Sequence, residues 1–543
     1  MAPNYSVQKE SKRLLNVLVN DPKLSISDEV KAASERVQFD GHSNPWLPVP
    51  LKFTESISAI SALVSSVAAA VAQDRYGVQQ DIKVNTDRAS VFLFGFFLPN
   101  IDGTPVSQAS EIVQKNVQEA DKYDMFRNIH RAGTNQYRTK DGRYYHTHGS
   151  MNTGPLMRLL GIPEQDVTLD EAKQIYADKV AQWNAEDLDY AENEEYRQAG
   201  SICYTPEEFL ATEHGKIASN QPIATITELE APRKPWPSVS NVGYRPLAGI
   251  RVIDFARAVA APAVSKVLAA LGADVIKVSC SSLPDTGLTL VDINAGKRDV
   301  NIDLKTPEGK KAFSKLVRDA DVLVDGFRPH ALEKLGFHSK SLRDINPSLI
   351  YLRENCYGWD GPWAHRSGWQ QIADSLVGLA ILEGQWLGLD EPVQPLLPNS
   401  DYQTGVLGSA LVVQALLKRT KANVTFDIDV SLAHYNLWLT RAGPYDAEQQ
   451  KALRDLHPEF KPRHNWDLVE VALACMDSVN KARPGVLNNR DFFETISGKE
   501  WGETRNINVV GAPFKLSRSD TSFAVPSGRR GWSNANPEWL PIH

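Results

Sequence analysis

Apolar positions in the middle of this chain fall into short unbroken runs separated by amphipathic stretches. Gly249-Ile250-Arg251-Val252-Ile253-Asp254-Phe255 predicts a buried strand. Pro262 suits the first position of a helix, and Val264, Val267, Leu268 and Leu271 then give that helix an apolar stripe. Gly272 ends it, and Ala273-Asp274-Val275-Ile276-Lys277-Val278 predicts the next strand. Two strands joined through a helix form a βαβ unit, which implies parallel pairing and a right-handed crossover. The alternation continues: an extended run over Val300–Leu304, a helix from Thr306-Pro307-Glu308-Gly309 through Val317, and strands at Asp321–Asp325 and Leu349–Leu352. Residues 245 to about 360 therefore predict a doubly wound α/β domain.

The flanks read differently. Ile57–Ala72 is apolar but broken by serines and too short to span a bilayer comfortably, so a buried helix is expected. A strand is expected at Asp81–Val84, followed by an aromatic run, Val91–Phe97. Asp141-Gly142-Arg143-Tyr144-Tyr145-His146 predicts a turn leading into a strand, and Leu169–Arg197 is charged and helix-prone. Three prolines in Ala231–Pro237 predict a linker reaching to about Arg245. Further on, the polar turn Pro398-Asn399-Ser400-Asp401 precedes an apolar helix over Val406–Leu417. A gapless shift of 346 positions lays 56–73 on 402–419, Asp81-Ile82 on Asp427-Ile428 and Glu55 on Asp401, in matching element order.

Composition narrows the class without naming a chemistry. The chain has 543 residues, enough for two or more domains, and 42% hydrophobic with 23% charged residues is ordinary globular usage. A formal net charge of −7 gives no reason to expect nucleic acid or an acidic membrane as partner. The four cysteines, at 203, 280, 356 and 475, are widely spaced, which argues against a zinc site or a disulfide framework and fits a reducing compartment. Acidic residues and no apolar core near the N-terminus make a leader peptide unexpected, so a cytoplasmic location is expected. His146 and His148 share one face of a strand, a weak metal signal, and no metal is expected. After the first strand comes Arg257-Ala258-Val259-Ala260-Ala261-Pro262 instead of a glycine-rich fingerprint, so dinucleotide binding loses its main support.

The candidate chemistry centres on Asp401. A carboxylate at a helix start lies beside unpaired N–H groups and the positive end of the helix dipole, which favours its ionised form. An ionised carboxylate is a potential nucleophile. Asp is equally a favoured N-cap, and position alone leaves both roles open.

Several motifs occurring in order resemble the class III CoA-transferases: Pro246–Phe255, Leu271–Val278, Gly296-Lys297-Arg298, Asp303–Gly309, Asp321–Pro329 and Asn346–Tyr351. Gly511–Ser517 resembles that family's closing strand, and Asp141–Tyr144 resembles the strand opening its small domain. The resemblance implies a Rossmann-like large domain with a smaller α+β domain in an interlocked architecture. It divides the chain into a diverged half-copy over 1–235, the large domain over 236–445, and a shortened small domain with the closing segment over 446–543. It implies transfer of CoA between an acyl-CoA and a carboxylic acid, with Asp401 as covalent nucleophile and no partner beyond those substrates. A homodimer or a pseudo-dimeric monomer is expected. Coenzyme A is expected to touch Ala258, Val259, Ala260, Lys297, Phe327 and Lys334. Oxyanion donors are expected from the helix start after Asp401. The sequence departs from the family at Ser279-Cys280, where an acidic and often a basic residue are usual, and at Gly368-Trp369-Gln370, where racemases carry a histidine after the glycine. Glu55 is expected to be non-catalytic, and His365 to be a loop residue. A fold kept without CoA, or an isomerase, are the competing readings. Trp363, Trp369 and Trp386 hint at an apolar substrate.

Overall fold

The computed structural model describes residues 5–240, 243–534 and 537–541. Its centre is a seven-stranded sheet built from β1 (Ala224–Glu230), β2 (Arg251–Phe255), β3 (Asp274–Ser279), β4 (Lys297–Asn301), β5 (Val322–Asp325), β6 (Ile350–Asn355) and β7 (Val424–Ser431). The spatial order is β4-β3-β2-β5-β6-β7-β1. Strands β2 to β7 run parallel, with β2 flanked by β3 and β5, and β1 closes the edge antiparallel to β7. The fold is α/β, as the alternating pattern predicts. The chain reverses its direction of winding between β2 and β5, which opens a crevice beyond the carboxyl ends of those two strands.

Five helices matter for the site: α1 (Phe53–Tyr76), α2 (Ala260–Ala270), α3 (Gln370–Val377), α4 (Asn399–Arg419) and α5 (Leu432–Ala442). Helix α1 is longer than its most apolar window, and every residue from Phe53 to Ala72 is buried. It is long and apolar enough to cross a membrane, yet it lies inside the protein. Three of its serines are satisfied locally: the hydroxyls of Ser58, Ser65 and Ser66 donate to carbonyls four residues back at 2.6–2.8 Å. Gly77, with φ of 67°, ends it in the left-handed conformation that a Cβ disfavours.

Helix α4 is the hub of the packing, lying against α1 on one side and α2 on the other. Gly405 and Gly408 make the second contact possible. A Cβ at Gly405 would stand 2.6 Å from the Ala263 Cβ and 2.7 Å from the Ala260 carbonyl oxygen, and one at Gly408 would stand 3.0 Å from Val264.

The elements that the 346-residue shift superposes correspond in order and in pairing. Shifted by 346, the first residue of α1 falls on the first residue of α4, and strand Ile82–Asn85 falls on the last four residues of β7. Asn85 and Ser431, also equivalent, each cap the next helix with a side-chain oxygen, accepting from Arg88 N and His434 N. The partners correspond as well. Ile82–Asn85 lies between a parallel strand, Val37–Asp40, and an antiparallel one, Lys515–Leu516. Strand β7 likewise lies between parallel β6 and antiparallel β1. The closing strands cross over: β1 comes from before the proline-rich stretch and pairs with β7, while Lys515–Leu516 comes from the far end and pairs with Ile82–Asn85.

Two elements carried no expectation from the sequence, and one helix begins earlier than expected. The strand β1 immediately precedes the proline-rich stretch; four of its seven residues are threonine or glutamate, so no apolar run marks it. The run Val91–Phe97 is the end of a short helix (Thr86–Phe92) and a 3-10 turn (Gly95–Phe97). Helix α4 begins at Asn399, not after Asp401.

Candidate active site

A cavity of about 320 Å³ fills the crevice beyond β2 and β5. Its floor is the strand ends and the turns that follow them: Arg257–Ala260 after β2, Gly326–Pro329 after β5, Glu354–Cys356 at the end of β6, and Leu432 after β7. Ser150, Met151 and Asn152, from the first part of the chain, close it from above, and Asp401 and Trp369 line its wall. Ala258, Val259, Ala260 and Phe327 thus fall together with Asp401, as the sequence suggests.

Asp401 is the third residue of α4, with Pro398 in the N-cap position and no side-chain cap bond. It does not cap the helix. The next N–H, of Tyr402, already donates to Pro398 O at 3.1 Å, so the unpaired donors of the first turn are those of Asn399, Ser400 and Asp401 itself. Expectations of an N-cap aspartate and of oxyanion donors after it are both corrected by this early start. Among the described residues, no group hydrogen-bonds the Asp401 carboxyl. Its pKa is pushed well above the usual carboxylate range, first by burial, then by Glu354 and Asp374. Burial and these two carboxyls oppose the helix dipole, which by itself favours the ionised form.

The neighbouring carboxyls divide the labour. Asp374, on α3, is fully buried and accepts from Ser400 Oγ at 2.7 Å, from Asn436 Nδ2 at 2.6 Å, and from Gln370. It therefore ties down the residue next to Asp401. Burial raises its pKa to about 6 despite those donors. Glu354 is half-buried, faces the cavity, and has no hydrogen-bond partner among the described residues; burial and Asp325 raise its pKa to about 8. Asp325 fixes the β5 turn, accepting from Phe327 N at 3.0 Å and Tyr351 Oη at 2.8 Å. Gly326 lets that turn approach α2: a Cβ there would be 2.5 Å from the Ala261 Cβ.

Cationic groups were not legible beforehand. Arg257 and Arg328 both line the cavity, and neither has a carboxylate within ion-pair distance among the described residues. The Arg257 guanidinium donates to Pro284 O at 2.8 Å and lies 5.0 Å over the Phe327 ring. Arg328 donates to Arg197 O at 3.2 Å. The start of α2 adds the positive end of a second helix dipole.

Two expected contacts are corrected. Lys297 is fully buried, with Nζ 2.7 Å from Asp254 Oδ2 and 2.7 Å from Pro262 O, and burial lowers its pKa to about 8. It anchors β2 to α2 from inside the core. Lys334 is exposed at the end of a four-residue helix and lines no part of the cavity. The position of Ser279-Cys280 is also explained. Ser279 donates to Asp299, which accepts Gly531 N at 2.9 Å, and Arg530 donates to Cys280 O at 3.0 Å. The segment around Arg530 and Gly531 thus packs against the end of β3. His146 bonds Ser375 Oγ at 2.8 Å, while His148 stacks on Trp369 at 5.1 Å, its pKa lowered by burial to about 3. Of the three tryptophans, only Trp369 lines the cavity; Trp363 stacks on His214, and Trp386 donates to Gln450 O. His365 is indeed on the surface, paired with Glu194.

The comparisons agree with this architecture. Residues 247–467 match the model of CoA-transferase family III. An acetyl-coenzyme A transferase, nodX, of Hypoxylon pulicicidum is 35% identical over 98% of this chain and 93% of its own length. An acyl-CoA transferase of Gibberella moniliformis is 30% identical over 79% of this chain and 77% of its own. A formyl-CoA:oxalate CoA-transferase of Escherichia coli is 30% identical over 52% of this chain and 72% of its own. The chain is an enzyme of the CoA-transferase class, and it belongs to CoA-transferase family III.

Proposed function

We propose that the protein moves CoA from an acyl-CoA to a carboxylic acid through covalent intermediates on Asp401. The observation that carries this reading is the Asp401 carboxyl itself, without a hydrogen-bond partner among the described residues and facing the crevice where an α/β sheet of this topology binds ligands. Desolvation makes such a carboxylate reactive once ionised, because no hydrogen bond has to be broken before it attacks. Asp401 Oδ attacks the thioester carbonyl, the C–S bond breaks, and CoA thiolate leaves with the electron pair. Thiolate attack at the aspartyl carbonyl of the resulting anhydride frees the donor acid. The acceptor carboxylate then takes the aspartyl group from sulfur, and returning thiolate forms the new acyl-CoA and regenerates Asp401. The names of the relatives support acyl-CoA and carboxylate substrates.

Arg257 and Arg328 are assigned to the CoA phosphates, because cations without carboxylate partners are held where the start of α2 adds to the positive potential. Protonated Glu354 is assigned as a hydrogen-bond donor to the developing oxyanion, a role that its pKa of about 8 permits at neutral pH. The exchanged strands support reading the chain as two fused halves, with 1–235 a diverged copy and one working site. Glu55, the counterpart of Asp401, is fully buried and accepts from Tyr445 Oη at 2.8 Å and from Tyr5. A covered, doubly bonded carboxyl has no access to a thioester.

The decisive experiment is incubation with acetyl-CoA followed by hydroxylamine or borohydride, with peptide mapping by mass spectrometry. Modification of Asp401 is expected. An unmodified Asp401 in protein that turns over would end the nucleophile assignment.

A further inference from the structure

A second cavity, of about 490 Å³, adjoins the first. Three segments line both. Tyr123 faces the Asp401 cavity while Met125 and Phe126 face the second; Ser150 borders the two; Leu283 and Pro284 face the first while Thr286 and Leu288 face the second. At the junction, Trp369 Nε1 donates to Ser150 Oγ at 3.1 Å, and the Trp369 ring stacks on His148, which lines the second cavity.

The second wall is hydrocarbon for most of its extent: Phe96, Phe97, Phe126, Leu288, Leu473 and Met476. Its charges are already neutralised. Arg131 donates to Asp467 at 3.0 Å, His130 bonds Glu164 at 2.9 Å, and His148 is kept neutral by burial. Phe126 and Leu473 also reach the surface, at 51% and 57% exposure, which marks the mouth of the cavity with apolar side chains. A volume of this size falls in the range of small-molecule sites, and an apolar interior with polar groups at one end orients an amphipathic ligand.

Resting on the reading of Asp401 above, we infer that this cavity holds the hydrocarbon body of a long or bulky monocarboxylic acid, its carboxyl directed past Ser150 to Asp401. A short dicarboxylate is disfavoured, because its second carboxylate would meet apolar side chains and cations that already have partners. Each methylene taken from water into such a wall strengthens binding by about fourfold. Affinity and kcat/KM therefore rise along a series of straight-chain acids until the cavity is full.

Two measurements separate this inference from the nucleophile assignment. Titration of acetate, hexanoate, dodecanoate and succinate into the Asp401→Asn protein by calorimetry reads the cavity without the chemistry. Dodecanoate is expected to bind far more tightly than acetate, and succinate no better than acetate. Equal affinities, or a preference for succinate, would overturn the inference while leaving the trapping experiment on Asp401 untouched. In the unmodified enzyme, the same acids are compared as acceptors from acetyl-CoA. Leu288→Trp fills part of the cavity and should lower the ratio of kcat/KM for dodecanoate to that for hexanoate at least tenfold. An unchanged ratio in a variant that unfolds at the same temperature as the parent would equally sink it.

Discussion

At the scale of single residues, the site is an arrangement of carboxyl groups whose environments differ. Asp401 is unpartnered, Asp374 is bonded three times, and Glu354 is held near a charged-neutral balance at pH 8. Asp401→Asn should lower turnover by on the order of 10³-fold or more, as removal of a nucleophile does elsewhere, while the unfolding temperature at neutral pH stays level or rises. The sign follows from linkage. A carboxyl whose folded pKa exceeds its unfolded one binds more protons folded than unfolded, so stability falls as pH rises between the two values. For Glu354 that window runs from 4.5 to about 8. Glu354→Gln should therefore flatten the loss of stability over that window in denaturant titrations at stepped pH, leaving the variant more stable than the parent at alkaline pH. It should also remove a fall in kcat/KM near pH 8 if the protonated form is the working one; a parent profile level through pH 9 would refute that role. Asp401 was legible because a polar turn before an apolar helix is a local signal. Glu354 was not, since a strand-end glutamate looks like any solvated residue until the fold sets it in the wall of the cavity. Lys297 shows the opposite failure: a motif position that matches a ligand contact is turned inward by Asp254.

At the scale of elements, the geometry depends on how closely α2 and α4 approach. Gly405 faces Ala260 and Ala263 with no room for a methyl group. Gly405→Val should cost about 1–3 kcal/mol through overpacking, read as a lower urea midpoint. It should also raise KM for acyl-CoA, because the start of α2 is the floor of the cavity. Gly408→Ala, with contacts of 3.0–3.1 Å, should be milder on both counts. A KM unchanged in a destabilised Gly405→Val would show that α2 yields elsewhere. The parallel strands were readable from uninterrupted apolar runs, since strands buried on both faces leave no polar alternation. The edge strand β1 was not, because its exposed positions are threonines and glutamates that leave no apolar run, and its partner lies some two hundred residues away.

At the scale of the whole molecule, the Pro-rich stretch is the visible seam, and it is fastened down. Trp236 Nε1 donates to Asp74 at 2.8 Å and Arg75 donates to Pro237 O at 2.9 Å. The crossing of the two closing strands has a consequence for what that seam does. Each portion completes the other's sheet, so covalent continuity there is a convenience of synthesis. A protease site inserted between Ser240 and Gly243 and then cleaved should leave both pieces eluting as a single particle of the parent's size, with transferase activity kept. Separate elution without denaturant would refute this. Co-expressed as two genes, the portions should find one another like the halves of a clasp, whereas either one made alone should be insoluble.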